Sequence, residues 1–129
     1  MTTKKVKTFY CPAEITLRVI GGKWKPIIMW ALRHGSQRFS DIKNELPVLA
    51  HKVLSQQLKQ LEADGLIVRK FDESSTSRAR YELTDKGRSI YPTLINLARW
   101  GLAHHEHLSV EYRPSEQITP RVLKTLASV

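Results

Sequence analysis

Two hydrophobic rhythms run along this chain, and the point where one replaces the other organises the rest. Between His51 and about Asp64, Leu54, Leu58 and Leu61 fall at i, i+4 and i+7, which predicts a helix with one apolar side. At about 100° per residue, Lys52, Gln56 and Lys59 project from the opposite side, with Ser55 on the flank. After Asp64-Gly65 the period drops to two. Leu66–Phe71 then reads as a strand and Arg80–Leu83 as its partner, with a polar loop from Asp72 to Ala79 between them. Upstream, Phe39, Ile42 and Leu46 form the inner side of a helix that Ser40 can cap and Pro47 ends. Only Pro47–Ala50 separates that helix from the next, the spacing of a helix-turn-helix. A hairpin directly after such a unit is a wing, and Arg78 and Arg80 are expected near its tip.

The flanks read as helices too. Lys4, Lys5 and Lys7 make a basic arm over residues 1–10. A first helix starts at Cys11-Pro12, proline being at home in the first helical position, presents Ile15, Val19 and Ile20, and stops at Gly21-Gly22. A second, from about Lys23 to Arg33, carries the stripe Trp24, Ile27, Ile28 and Ala31 and closes at Gly35. Thr84 can cap a long final helix reaching about His107, with a kink or short break expected at Pro92. That helix carries two stripes, one of Ile90, Leu94 and Leu97 with Trp100 beyond, the other of Tyr91, Ile95, Ala98 and Leu102. Together they exceed the single arc a surface helix needs. One side is expected on its own domain and the other on a second copy, making Ile90, Leu94, Ile95, Leu97 and Leu102 the candidate dimerisation residues. In the tail, 109–129, Thr119-Pro120 can open a short helix carrying Val122, Leu123 and Leu126. The fold class is therefore mainly α with a small β-hairpin (α+β), a winged helix-turn-helix over residues 11–108 with an N-terminal helix and a long C-terminal dimerisation helix.

Charge sharpens the picture. With 21 Lys+Arg against 12 Asp+Glu the chain carries +9, a balance that favours polyanionic partners. No apolar run approaches the roughly 18 residues of a membrane span, and no apolar stretch follows the N-terminal lysines as in a secretory signal, so a cytoplasmic protein without a membrane partner is expected. Cys11 is the only cysteine, which leaves no intrachain disulfide and no cysteine-based zinc site. The glycines follow no phosphate-loop pattern and no Ser/His/Asp order stands out, so neither enzyme nor cofactor is expected. The run His104-His105-Glu106-His107 raises a metal reading, but such clusters at helix ends more often sit in solvent at the negative end of the dipole, and no metal site is assigned.

The chain resembles the HxlR-type winged helix-turn-helix transcriptional regulators. The resemblance rests on Cys11-Pro12-Ala13-Glu14, Ile20-Gly21-Gly22-Lys23-Trp24-Lys25, Arg38-Phe39-Ser40 and Leu54-Ser55-Gln56-Gln57-Leu58-Lys59-Gln60-Leu61-Glu62. Asp64-Gly65-Leu66, Tyr81-Glu82-Leu83-Thr84-Asp85-Lys86-Gly87 and Trp100-Gly101 complete it, so that it covers about Cys11 to Trp100. It implies a homodimeric DNA-binding regulator, often a repressor, whose terminal helices pair the subunits, with some relatives sensing oxidants or electrophiles through a cysteine near Cys11. One departure is Ala50, where relatives tend to open the recognition helix with serine. Losing such a cap typically costs ~0.5–2 kcal/mol of helix stability.

The candidate DNA contacts are Ser40, His51, Lys52, Ser55, Gln56, Lys59, Arg78 and Arg80. Lysine can donate to guanine O6 and N7, and glutamine can pair with adenine N6 and N7. The bland reading is a solvated helix face, which the helix-turn-helix context and the positive charge outweigh. At a helix N-cap, Cys11 faces unpaired N–H groups and the positive end of a dipole, an environment that raises thiol reactivity. Its bland reading is a small buried hydrophobe. Any disulfide there must join two subunits or capture a small thiol; adduct formation with a quinone-like or aldehyde electrophile is the other route. The expected partners are palindromic double-stranded DNA, a second copy of the chain and a small oxidant or electrophile. Two rivals stand beside this: a regulator sensing a ligand between subunits without redox chemistry, and a winged helix used as a protein-interaction module.

Overall fold

The computed structural model describes residues 6–72 and 75–110, which form six helices and a three-stranded sheet. The expected short helix in the tail lies outside the described residues, as do Lys4 and Lys5. In chain order the elements are α1 (Pro12–Ile20), α2 (Lys25–Ala31), β1 (Gln37–Arg38), α3 (Phe39–Glu45), α4 (His51–Ala63), β2 (Ile67–Asp72), β3 (Ser75–Leu83), α5 (Asp85–Ser89) and α6 (Tyr91–His104). The strands lie in the order β1-β3-β2, both pairings antiparallel.

The core collects beneath α4. Leu54, Leu58 and Leu61 are no more than 1% exposed, as their spacing predicts. They meet Ile28 and Met29 of α2, Ile42 of α3, and Leu46 and Leu49 of the turn. Ile67 and Leu83, paired across β2 and β3, close the sheet side. α4 ends in a complete Schellman motif. Gly65 takes φ +77°, its N–H reaches Glu62 O, and the Leu66 N–H reaches back to Leu61 O, both at 3.0 Å. Leu66 and Leu61 are both buried, supplying the apolar contact that accompanies this cap. The motif turns the chain sharply from the recognition helix into the wing.

Several details differ from the sequence expectation. β1 was not foreseen; it is two residues long and exists because Gln37 and Arg38 pair with Tyr81 and Arg80. The Gln37 side chain is buried and donates to Ala31 O at 2.7 Å, tying β1 to the end of α2. Ser40 does not cap α3. The helix begins two residues earlier, with Arg38 at the N-cap and the Asp41 carboxylate accepting from the Arg38 N–H at 3.1 Å. β3 starts at Ser75 rather than Arg80, so the hairpin arms run much further out.

The C-terminal helix is two helices. Thr84 caps α5, its hydroxyl accepting from Gly87 N at 3.0 Å and donating to Gly65 O at 2.6 Å. α6 restarts at Tyr91 with Pro92 in its first turn, where a missing N–H costs nothing. The Tyr91 hydroxyl donates to Met29 O and its ring meets Trp30 edge-on, with 6.0 Å between centroids. Burial pushes the Tyr91 phenol well above its ordinary range, against the opposing charges of Arg33 and Arg88.

Leu94 is 2% exposed and belongs to the core of its own domain, which corrects its assignment to the dimer contact. Ile90 and Ile95 pack half-buried against the same core. The residues α6 turns outward are Leu97, Trp100 and Leu102, at 49%, 58% and 42% exposed. α1 is also sparsely buried: Ile20 is inside, while Ile15 and Leu17 remain more than half exposed. Among the described residues, no helix is long and apolar enough to cross a membrane.

Candidate nucleic-acid interface

The outer side of α4 carries the residues that its period assigns there. His51, Lys52, Gln56 and Lys59 are exposed and Ser55 is half-buried. The leucine side holds the helix down, so the lysines and glutamine stand on a rigid base rather than on a loop. Ala50 occupies the N-cap without a side-chain hydrogen bond. The first-turn N–H groups of this 13-residue helix therefore have no cap from Ala50, an end that suits an anion. The His51 ring lies against Phe39, centroids 4.5 Å apart, so the start of α4 is braced on the start of α3.

Beside that junction, Arg38, Phe39, Ser40, Arg78 and Ala79 line an open cleft of about 500 Å³. The cleft brings together two of the sequence-assigned residues, Ser40 and Arg78, both exposed. It adds Arg38, which the sequence reading did not single out. Arg80 is not near the hairpin tip as expected. It sits half-buried in the middle of the sheet, opposite Arg38 of β1 on one side and Lys70 of β2 on the other. The reason is the length of β3, which carries the hairpin end far past Arg80. Lys70 makes an ion pair with Glu82 at 2.5 Å, and on the other sheet face the Arg69 guanidinium lies 5.3 Å from the Phe71 ring centre. Period-two alternation along Ile67–Asp72 was the signal that could have found Lys70, whereas Arg38 sits on a two-residue strand that carries no pattern of its own.

Two further assignments lie away from this surface. Cys11 is the N-cap of α1, exposed and without a side-chain hydrogen bond to the helix. The histidine cluster is engaged locally. His104 stacks on Trp100 with 4.3 Å between centroids and its Nδ1 meets Trp100 O at 2.9 Å, while His105 Nδ1 meets Val110 O at 3.0 Å. Among the described residues, no group of three His, Cys, Asp or Glu side chains is placed to hold a metal.

Comparison with known proteins agrees with this geometry. The family model described as HxlR-like helix-turn-helix matches residues 19–109. The chain is 42% identical over 93 residues to the HTH-type transcriptional regulator YdzF of Bacillus subtilis (strain 168), covering 71% of this chain and 85% of that protein. Among solved structures, the redox regulator HypR in its reduced form superposes with a TM-score of 0.70 at 34% identity, over 77% of this chain and 98% of that one. The reduced form of the transcriptional regulator YodB from B. subtilis superposes with a TM-score of 0.64 at 27% identity, over 72% and 92%. A leucine-backed recognition helix, its brace and its wing, in a chain matched over most of its length, leave one conclusion: this protein belongs to the HxlR-like helix-turn-helix family and is a transcriptional regulator rather than an enzyme.

Proposed function

We propose that the protein is a cytoplasmic homodimeric repressor that reads a palindromic operator through α4. The observation that carries this is the outward triad Lys52, Gln56 and Lys59 on a helix buried to within 1% along its leucine side. Gln56 and the lysines contact base edges, while Ser40, His51, Ser55, Arg78 and Arg80 position the protein on the backbone. The exposed apolar residues of α1 and α6, among them Ile15, Leu17, Leu97, Trp100 and Leu102, support pairing of two copies. Selection from a random duplex library tests the reading. Enrichment of inverted half-sites centred about 34–36 Å apart, or a multiple of that, is expected. A library that shows no enrichment would overturn it.

Cys11 is the proposed sensor. Its exposure at a helix N-cap and the likeness to a redox regulator support this. Oxidation or electrophile capture there alters the pairing of the two copies and releases DNA. A Cys11→Ser protein that still releases DNA on oxidant treatment would end the idea.

One observation favours the ligand-sensing alternative. A hollow of about 310 Å³ between α2 and α6 is lined by Lys23, Pro26, Ile27, Trp30, Leu94, Leu97 and Ala98. The Trp30 indole Nε1 is buried without a hydrogen-bond partner. Titration of the native thiol separates the two readings, since a ligand sensor keeps its response after Cys11 is blocked.

A further inference from the structure

We propose that the hollow between α2 and α6 binds a small aromatic carboxylate, with the carboxylate on Lys23 and the ring between the two helices. The inference deepens the ligand-sensing reading above and rests on it. The hollow follows from how the two helices meet. They are pinned at one end, where the Tyr91 hydroxyl reaches Met29 O and the Tyr91 ring meets Trp30 edge-on. Beyond the pin, Ile27 of α2 and Leu94, Leu97 and Ala98 of α6 border a gap of about 310 Å³. At the ~30 Å³ that a water molecule takes in the liquid, the gap holds about ten non-hydrogen atoms, one aromatic ring with two substituents.

The lining gives the occupant its chemistry. Its walls are apolar, and of the lining residues only Lys23 is ionisable. Lys23 is exposed, and among the described residues no carboxylate pairs with it; its ammonium lies 4.8 Å from the Trp24 ring centre instead. A ring face steers an ammonium without neutralising it, so the charge stays available to an anion. The second polar group is the Trp30 indole Nε1, buried in a residue only 3% exposed and without an acceptor among the described residues. Folding seldom leaves a buried donor unpaired, and an oxygen on the far side of the ligand ring supplies the missing acceptor. Lys23 precedes α2 and Trp30 lies near its end, so the two groups stand towards opposite ends of the hollow. A cation at one end, apolar walls and a donor at the other suit an aromatic acid with an oxygen opposite its carboxylate. Leu97 lines the hollow and also belongs to the proposed pairing face, so a bound acid alters what a second copy meets.

The probe is 4-hydroxybenzoate, titrated into the nitrogen-15-labelled full chain while NMR follows the indole N–H signals of its three tryptophans. Trp24→Phe and Trp100→Phe identify the Trp30 signal by elimination. For a ligand of this size, a saturable downfield shift of that signal is expected below about 10 mM. The neutral, nearly isosteric 4-hydroxybenzamide is expected to bind about fivefold more weakly, and Lys23→Gln to remove that difference. Ala98→Phe fills the hollow and should abolish binding; the exposed Lys23 keeps the test open if that variant fails to fold. No saturable shift, an amide that binds as tightly as the acid, or an undiminished difference in Lys23→Gln would overturn the proposal. So would a Trp30 signal that moves with protein concentration alone and not with the acid, since a second copy would then fill the hollow. Operator affinity with and without the acid tells the site apart from the reading it rests on. Binding as predicted with unchanged operator affinity keeps the site and ends the ligand-sensing reading. Release of the operator by the amide alone keeps that reading and ends the carboxylate.

Discussion

Replacing Thr84 by valine is expected to loosen the joint between the wing and the C-terminal helices. One residue ties three contacts together there, two of them through its hydroxyl. It caps α5 through Gly87 N and holds Gly65 O at the Schellman turn, while the Thr84 N–H donates to Leu66 O at 3.0 Å. Valine keeps the branched shape and removes both hydroxyl bonds. Loss of an N-cap costs ~0.5–2 kcal/mol, towards the upper end here because Gly87 is buried and its N–H is left unpaired. The Gly65 carbonyl is half-buried and regains water, so its loss adds a smaller amount. The sum is about 2 kcal/mol, which for a chain of this size corresponds to a melting point roughly 6–10 °C lower. Circular-dichroism melts at one fixed protein concentration measure it, since the melting point of the proposed dimer depends on concentration. Thr84→Ser restores the hydroxyl and should lose less than about 1 kcal/mol, one methyl group. A valine variant melting with the wild type, or a serine variant falling as far as valine, would refute the reasoning.

Gly87→Ala is expected to destabilise, against the usual direction for glycine in a helix, because an added Cβ would stand 2.1 Å from Leu66 O, a backbone atom that cannot swing away. Its urea midpoint should fall below that of the wild type. Trp100→Asp, at a side chain 58% exposed, should keep the wild-type circular-dichroism spectrum yet sediment as a monomer where the wild type sediments as the proposed dimer. For Tyr91 the raised phenol means that the unfolded chain loses this proton first. Its contribution to stability is intact below about pH 10 and falls as pH rises above that. Tyr91→Phe should therefore show a shallower alkaline decline in urea midpoints.

Where a single hydrophobic period decides the structure, the sequence was a good guide. The leucines of α4, the turn before it, the switch to a strand after Gly65 and the break near Pro92 all follow from local chemistry. The misreadings share one cause: they depended on what lay opposite in space. β1 has no pattern of its own and exists through pairing with β3. α3 is the exception: it starts two residues early because the Asp41 carboxylate, a local cap, accepts from the Arg38 N–H three residues back. The polar outer part of β3 reads as loop from its sequence, because its strand character comes from pairing with β2, Ala79 with Phe71 and Ser75 with Asp72. The two stripes of α6 were both visible, but the inward side cuts across them, with Tyr91, Leu94 and Ile95 on the core and Leu97, Trp100 and Leu102 exposed, and so Leu94 was assigned to the wrong side. The exposed face of α4 was legible residue by residue, whereas the alignment of Arg38, Arg80 and Lys70 across the sheet needed the register.

In the proposed complex α4 reads sequence through Gln56 while the surrounding cations hold the backbone. Binding isotherms for the wild-type chain and Gln56→Ala, on a selected operator and its scrambled counterpart at several salt concentrations, test it most directly. Gln56→Ala is expected to narrow the gap between the two duplexes by ~1–3 kcal/mol and to leave scrambled-duplex affinity and salt slope unchanged. An equal loss on both duplexes would contradict it.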